Sequence, residues 1–206
     1  MTFLSKMAES KMNGPVPEKK DNAPSCQPTN GGDVRPRSQK ERAMDTDKNA
    51  GEWAEKAKAS AEFIAMMLVY VSRAVVESAG EEAGMRMLKK GLREFGRARG
   101  RNIRKKVDAQ GLKPTMEAFA KNYDFPLFAA YKAEREISGR TKTSRISLCP
   151  LAAFWDACGE KAIGLLYCDE VDDGIREGFD EKLAHSNPKN LLRGDDLCIH
   201  IDEFSE

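Results

Sequence analysis

The hydrophobic pattern of this chain changes its period as it runs. From Glu52 onward Trp53, Ala57, Phe63, Ile64, Met67, Leu68, Val71 and Val75 make a wide apolar stripe at helical spacing. That stripe predicts a long core helix. Gly80 punctuates it. Met85, Leu88, Leu92, Phe95, Ile103 and Val107 then follow three or four apart, with one polar gap, and predict a second helix that Gly111 and Pro114 end. Thr115 to Tyr123 reads as a short third helix with Met116, Phe119 and Ala120 inward. Beyond it the pattern moves toward alternation. Leu127 to Ile137 and Thr141 to Leu148 read as two strands around a Ser138-Gly139-Arg140 turn. Pro150 to Ala157 starts a helix with proline in its first turn. Leu165 to Glu177 reads as another helix, ending near Gly178, and Lys182 to Ser186 and Leu197 to Phe204 as the last strands. Helices first, then a small, mainly antiparallel sheet interrupted by helices, define an α+β fold.

Residues 1–50 break this pattern. They are rich in Pro, Asn, Lys, Gly, Ser and Asp and poor in large apolar side chains, so burial cannot offset their ordering entropy. They are read as a disordered tail before a single domain spanning 51–206, and Cys26 as an exposed bystander. With 206 residues and 40% hydrophobic content, the chain suffices for one sizeable core. A net charge of +1 gives no global field toward nucleic acid or membrane. The basic helix face of Lys89, Lys90, Arg93, Arg97, Arg101, Arg104 and Lys105 has few interleaved aromatics. It is read as a solvated face, balanced in part by the acidic residues after Cys168. The run Phe63 to Val71 is about half a bilayer span, and no apolar stretch backs the N-terminus. A cytoplasmic protein with reduced thiols is expected.

Cysteine changes the picture most. Cys149-Pro150, Tyr167-Cys168-Asp169 with Asp172-Asp173, and Gly194-Asp195-Asp196-Leu197-Cys198 crowd the last 58 residues of the chain. Cys168 and Asp172, four apart on a helix, project from one face, and Asp169 and Asp173 form a second such pair. On the last strand Cys198, His200 and Asp202 share one face by alternation. If helix and strand pack together, Cys149, Cys168, Cys198 and an acidic residue or His200 converge. Thiolates and imidazole suit zinc or another divalent transition metal. Without CxxC or HxxxH spacing, the same cysteines also read as small buried hydrophobes, the reading preferred for Cys158. His185 is placed in a connecting, exposed segment.

The run from Phe95 to Phe204 resembles the L-2-amino-thiazoline-4-carboxylic acid hydrolase family. The likeness is carried by Phe95-Gly96-Arg97-Ala98-Arg99-Gly100, Cys149-Pro150 with Trp155, Tyr167-Cys168-Asp169-Glu170-Val171-Asp172-Asp173, Glu177-Gly178-Phe179 and Gly194 to Cys198. Asn187, Pro188, Asn190 and His200 depart from the family pattern. That family is in turn similar to vinyl-reductase-type small-molecule-binding domains, some of which hold zinc through cysteines and a carboxylate. The resemblance implies a hydrolase acting on a C–N bond in a cyclic amidine or isothiourea, such as the aminothiazoline itself, opened to N-carbamoyl-L-cysteine. It implies Asp172 or Asp173 on the amidine, Arg145 or Lys189 on the substrate carboxylate, and Tyr167 in substrate contact. The attack would come from water on a metal held by Cys149, Cys168 and Cys198, or from a Cys168 thiolate with Asp172, Asp173 or His200 assisting. A non-catalytic binding module with a structural zinc is the alternative. The expected partner is a small molecule, with no nucleic acid or membrane, and a homodimer through the helices is possible.

Overall fold

The computed structural model describes residues 39–205, with side chains from Asn49 onward. Cys26 and the first 38 residues of the expected tail lie outside that range. Residues 39–50 belong to the first helix, α1, Gln39–Ala79.

The face that α1 buries is not the one its bulky residues mark. Ala57, Ala61, Ala65, Val69 and Ser72 are buried, whereas Trp53, Phe63, Met67 and Val71 are at least half exposed. The reason is distance: a face of alanines lets neighbouring elements approach the helix backbone closely, and a face of large side chains does not. Trp155 uses that approach, its buried indole N–H donating to the Ala65 carbonyl at 3.3 Å. The stretch 49–79 of α1 is also long and apolar enough to cross a membrane by length and composition, a criterion that core helices of soluble proteins meet as well.

Gly80, at φ +80°, turns the chain into α2, Glu81–Ala109. This helix packs along α5, Lys161–Phe179, on a seam of glycines. A Cβ on Gly100 would sit 2.1 Å from the Ile175 carbonyl oxygen, and one on Gly178 would sit 2.2 Å from that of Arg97. Gly178 is the penultimate residue of α5, so the helix ends where the sequence places its end, and the same glycine serves the helix contact. Beside the seam the charged faces interlock. Arg93 meets Glu170 at 2.8 Å, Asp173 at 3.0 Å and Glu177 at 3.4 Å. Lys89 joins Glu170, Arg97 joins Glu177 and Arg104 joins Asp180. Much of the basic face of α2 is thus engaged by α5.

After α3, Met116–Asn122, capped by Thr115, the expected long strand is shorter. Phe128–Ala130 form a 3-10 turn, because Phe125 packs its ring edge-on against Phe128 and Tyr131 at 5.1 and 5.3 Å and folds the chain back. β1, Lys132–Ser138, follows, then β2, Thr141–Leu148, and α4, Pro150–Ala157. The last strands are β3, Leu183–Lys189, and β4, Cys198–Phe204. The antiparallel sheet has the order β1-β2-β4-β3. β3 runs past its expected end at Ser186 through an irregularity between Ser186 and Lys189, where Pro188 has no N–H to give a ladder.

Candidate small-molecule site

Two apolar clusters, one around Trp155 and one around Phe119, meet at Tyr167, which packs against both. Between the clusters and the sheet lies a cavity of about 260 Å³. Its walls include Phe125, Phe128, Tyr131, Tyr167 and Leu151; its floor carries Lys142, Ser144, Asp172, Arg176 and His200. Pocket walls of this kind orient a ligand through a few polar groups on an apolar surface.

The floor is built by strand alternation and helix period together. Lys142 pairs in register with Asp202, and Ser144 with His200, so all four share one sheet face. Asp172 and Arg176, one turn apart on α5, reach down onto it. Arg176 donates to Asp202 at 2.7 and 3.2 Å and to the Asp172 carboxylate at 3.0 Å. Lys142 reaches Asp202 at 2.5 Å. Burial works to raise the Asp202 carboxyl, but Arg176 and Lys142 overcome it and hold it well below the usual carboxylate range. Burial likewise opposes ionisation of Asp172, and Arg176, His200 and His185 outweigh it, so its pKa is lowered. Asp172 is the one carboxylate among the described residues lining the cavity.

All three motif cysteines line this cavity, as the spacing argument expects, yet each thiol is already engaged. Cys149 Sγ caps α4 by accepting from Ala152 N at 3.4 Å. Cys198 Sγ accepts from Leu191 N at 3.3 Å, and the Asn190 side chain hydrogen-bonds Cys168. Burial pushes the Cys168 thiol well up, and Asp172, Cys149 and Cys198 push it further. Burial also raises Cys149 and Cys198. A buried, neutral Cys168 thiol is a poor fit to an unaided nucleophile. Iodoacetamide at pH 8 is expected to label exposed Cys158 long before Cys168, as peptide mapping would show; the reverse order would mean that Cys168 is an accessible thiolate.

His185 is the largest correction. It lies in β3, inside the strand expected over Lys182 to Ser186, and its side chain is 3% exposed rather than facing solvent in a connection. Asp173, whose carboxyl burial raises but His185 and Arg93 hold low, lies 2.9 Å from His185 Nδ1 and accepts a hydrogen bond from it. His185 Nε2 and His200 Nδ1 are 3.1 Å apart. Burial lowers the pKa of His200 despite Asp172. The ligating atoms of Asp172, His185 and His200 all lie within 4.8 Å of one another, the one such group among the described residues.

Arg145 and Lys189 are not at the cavity. Arg145 is exposed on β2, 3.9 Å from Glu136, and Lys189 pairs with Asp196 at 3.0 Å on the surface; both face outward. Arg135, exposed on β1 and over the Phe128 ring at 4.2 Å, lines the cavity instead. Tyr167 is where the sequence places it. Asp173 stands behind His185 and does not line the cavity. The Gly194-Asp195-Asp196 motif is structural: Gly194 takes φ +94° and Asp195 accepts from Asn190 N at 2.7 Å. Buried Asn190 also caps the turn Leu191–Arg193.

Fold and site together define an α+β protein with a partly open, mainly apolar pocket on an ionic floor. The model of the L-2-amino-thiazoline-4-carboxylic acid hydrolase family matches residues 60–200, and the chain belongs to that family. The comparison with curated proteins gives no significant match. Among solved structures, the chain is similar to trafficking protein particle complex subunit 3 from Naegleria fowleri, covalently bound to palmitic acid. That likeness has 17% identity over 72% of this chain and 97% of the other, at a TM-score of 0.47.

Proposed function

We propose that the cavity binds a cyclic amidine bearing a carboxylate and opens it with water, as in the conversion of L-2-amino-thiazoline-4-carboxylate to N-carbamoyl-L-cysteine. The observation that carries this reading is the single ionised carboxylate, Asp172, set in an apolar-walled cavity whose other charged lining groups, Arg99, Arg135, Lys142 and Arg176, are cationic. An amidine needs one acidic partner and its carboxylate one cation. Asp172 accepts the N–H groups of the amidine and keeps its carbon electrophilic; Arg135 takes the carboxylate as a bidentate fork. Water enters from the Asp172–His200 end. A C–O bond forms at the amidine carbon, the ring C–S bond breaks, and the sulfur leaves as a thiol that takes up a proton. The carbon keeps both nitrogens, so this product requires C–S rather than C–N cleavage.

The new thiol makes the test direct. Full-length protein incubated with L-2-amino-thiazoline-4-carboxylate should release thiol in step with substrate loss. Asp172→Asn should cost about a hundredfold or more in kcat/KM, the scale of losing one charge-stabilising partner. Arg135→Gln should raise KM roughly tenfold or more, with little effect on 2-amino-thiazoline, which lacks the carboxylate. Saturable binding without thiol release would favour the non-catalytic binding module.

A further inference from the structure

We infer that His185, His200 and Asp172 form a binding site for one divalent transition ion of the zinc or cobalt type, at the floor of the cavity and independent of the cysteines. The site joins three elements: β3 carries His185, β4 carries His200 and α5 carries Asp172. His185 Nε2 and His200 Nδ1 stand 3.1 Å apart, and His200 Nδ1 lies 3.7 Å from Asp172 Oδ2. For donors about 2.1 Å from a common ion, those separations correspond to angles of roughly 95° and 125°, either side of the tetrahedral value. An ion replaces the proton shared by the two nitrogens and draws together three donors that already lie within 4.8 Å of one another.

The surroundings are arranged as they are behind metal-bound histidines. Asp173 accepts from His185 Nδ1–H at 2.9 Å, which fixes the ring and leaves Nε2 as the ligating nitrogen. Arg176 occupies Asp172 Oδ1 at 3.0 Å and leaves Oδ2 for the ion. Arg176 and Lys142 oppose a cation, and Asp202 answers both from within 3.2 Å. Two imidazoles and one carboxylate leave a fourth position for water or substrate, the pattern of catalytic rather than structural zinc. His200 and Asp172 line the cavity, so that position opens toward it. An ionised carboxylate has roughly four acceptor directions, so Asp172 can hold the ion and still accept a substrate N–H. An ion held there would supply Lewis-acid chemistry to the hydrolysis; only that consequence rests on the hydrolase reading.

The test uses the full-length protein freed of metal with chelator and titrated with Co(II), then Zn(II). One equivalent of Co(II) is expected, with weak visible bands and without the intense near-ultraviolet band of thiolate ligation. Folded His185→Ala should lose stoichiometric binding, Asp173→Asn should bind about 10–100-fold more weakly, and Cys168→Ser and Cys198→Ser should bind as the parent does. No saturable uptake by the parent protein, a thiolate band, or full binding by folded His185→Ala would each overturn the site. The parent spectrum decides between imidazole and thiolate ligation even if a variant does not fold. Metal bound as described without thiol release would count against the hydrolase reading alone. Thiol release by protein that takes up no ion would count against the site alone.

Discussion

Gly100→Ala is expected to lower the unfolding midpoint by roughly 6–12 °C, whereas Gly91→Ala, nine residues earlier on the same helix, raises it slightly. A methyl group at Gly91 meets nothing within 4 Å, so only helix propensity changes, worth up to about 1 kcal/mol in favour of alanine. At Gly100 the same gain is overwhelmed. The new Cβ would lie 2.1 Å from the Ile175 carbonyl oxygen and 2.7 Å from the Phe179 nitrogen. These are backbone atoms of a packed helix and cannot rotate away. Overpacking costs about 1–3 kcal/mol and more where backbone must move; a net loss of about 3 kcal/mol, at roughly 2–4 °C per kcal/mol for a chain of this size, gives the stated range. Thermal melts of the two variants beside the parent check it. A neutral Gly100→Ala would show that α2 and α5 do not touch along this seam.

Asp202→Asn carries the second large effect, through charge rather than volume. Asp202 is fully buried and is the shared partner of Arg176 and Lys142. Neutralising it leaves two buried cations facing one amide, and breaking a buried pair in this way costs about 3–5 kcal/mol. The pH dependence follows the same chemistry. A carboxyl whose folded pKa lies below its unfolded value of about 3.9 stabilises fully above that value and loses its contribution as the pH falls below it. The parent should therefore lose stability steeply below about pH 4, and Asp202→Asn should start lower and fall less steeply. Denaturant midpoints of both proteins between pH 7 and pH 3 would show this. Parallel curves would mean that Asp202 is not held as an anion.

The elements were legible in the sequence wherever local signals act alone. α4 and β2 fall where Pro150 and the alternation of Thr141–Leu148 place them. β1 deviates where aromatic packing at Phe125 and Phe128 overrides the local signal, and α5 begins at Lys161, ahead of the apolar run from Leu165. In α1 periodicity located the helix but not its buried face, because size decides which side can approach a neighbour and hydrophobicity does not record size. Spacing i,i+4 paired Cys168 with Asp172 and i,i+2 paired Cys198 with His200, but that the two pairs and Cys149 share one cavity depended on how helix and strand pack, which spacing does not fix. His185 was missed because its partners come from α5 and β4, and a lone histidine in a polar stretch gives no sign of them. One signal was available: His185 shares the parity of Leu183, which is buried. Arg145 shows the converse error, since the right chemistry sits on the outward parity; Lys189 has the parity of Leu183, and the irregularity between Ser186 and Lys189 carries it outward.

Asp173 belongs to two neighbourhoods at once. One oxygen takes Arg93 from the α2 surface at 3.0 Å and the other takes His185 at 2.9 Å, so the plane of the carboxylate is fixed from both sides. A half-buried arginine on α2 thereby sets the orientation of a buried imidazole that it never touches. For sequence drift, position 93 is then not free surface: a lysine there would keep the charge but lose the fork that also spans Glu170 and Glu177. The functional boundary of this protein therefore runs one helix further out than the walls of its cavity.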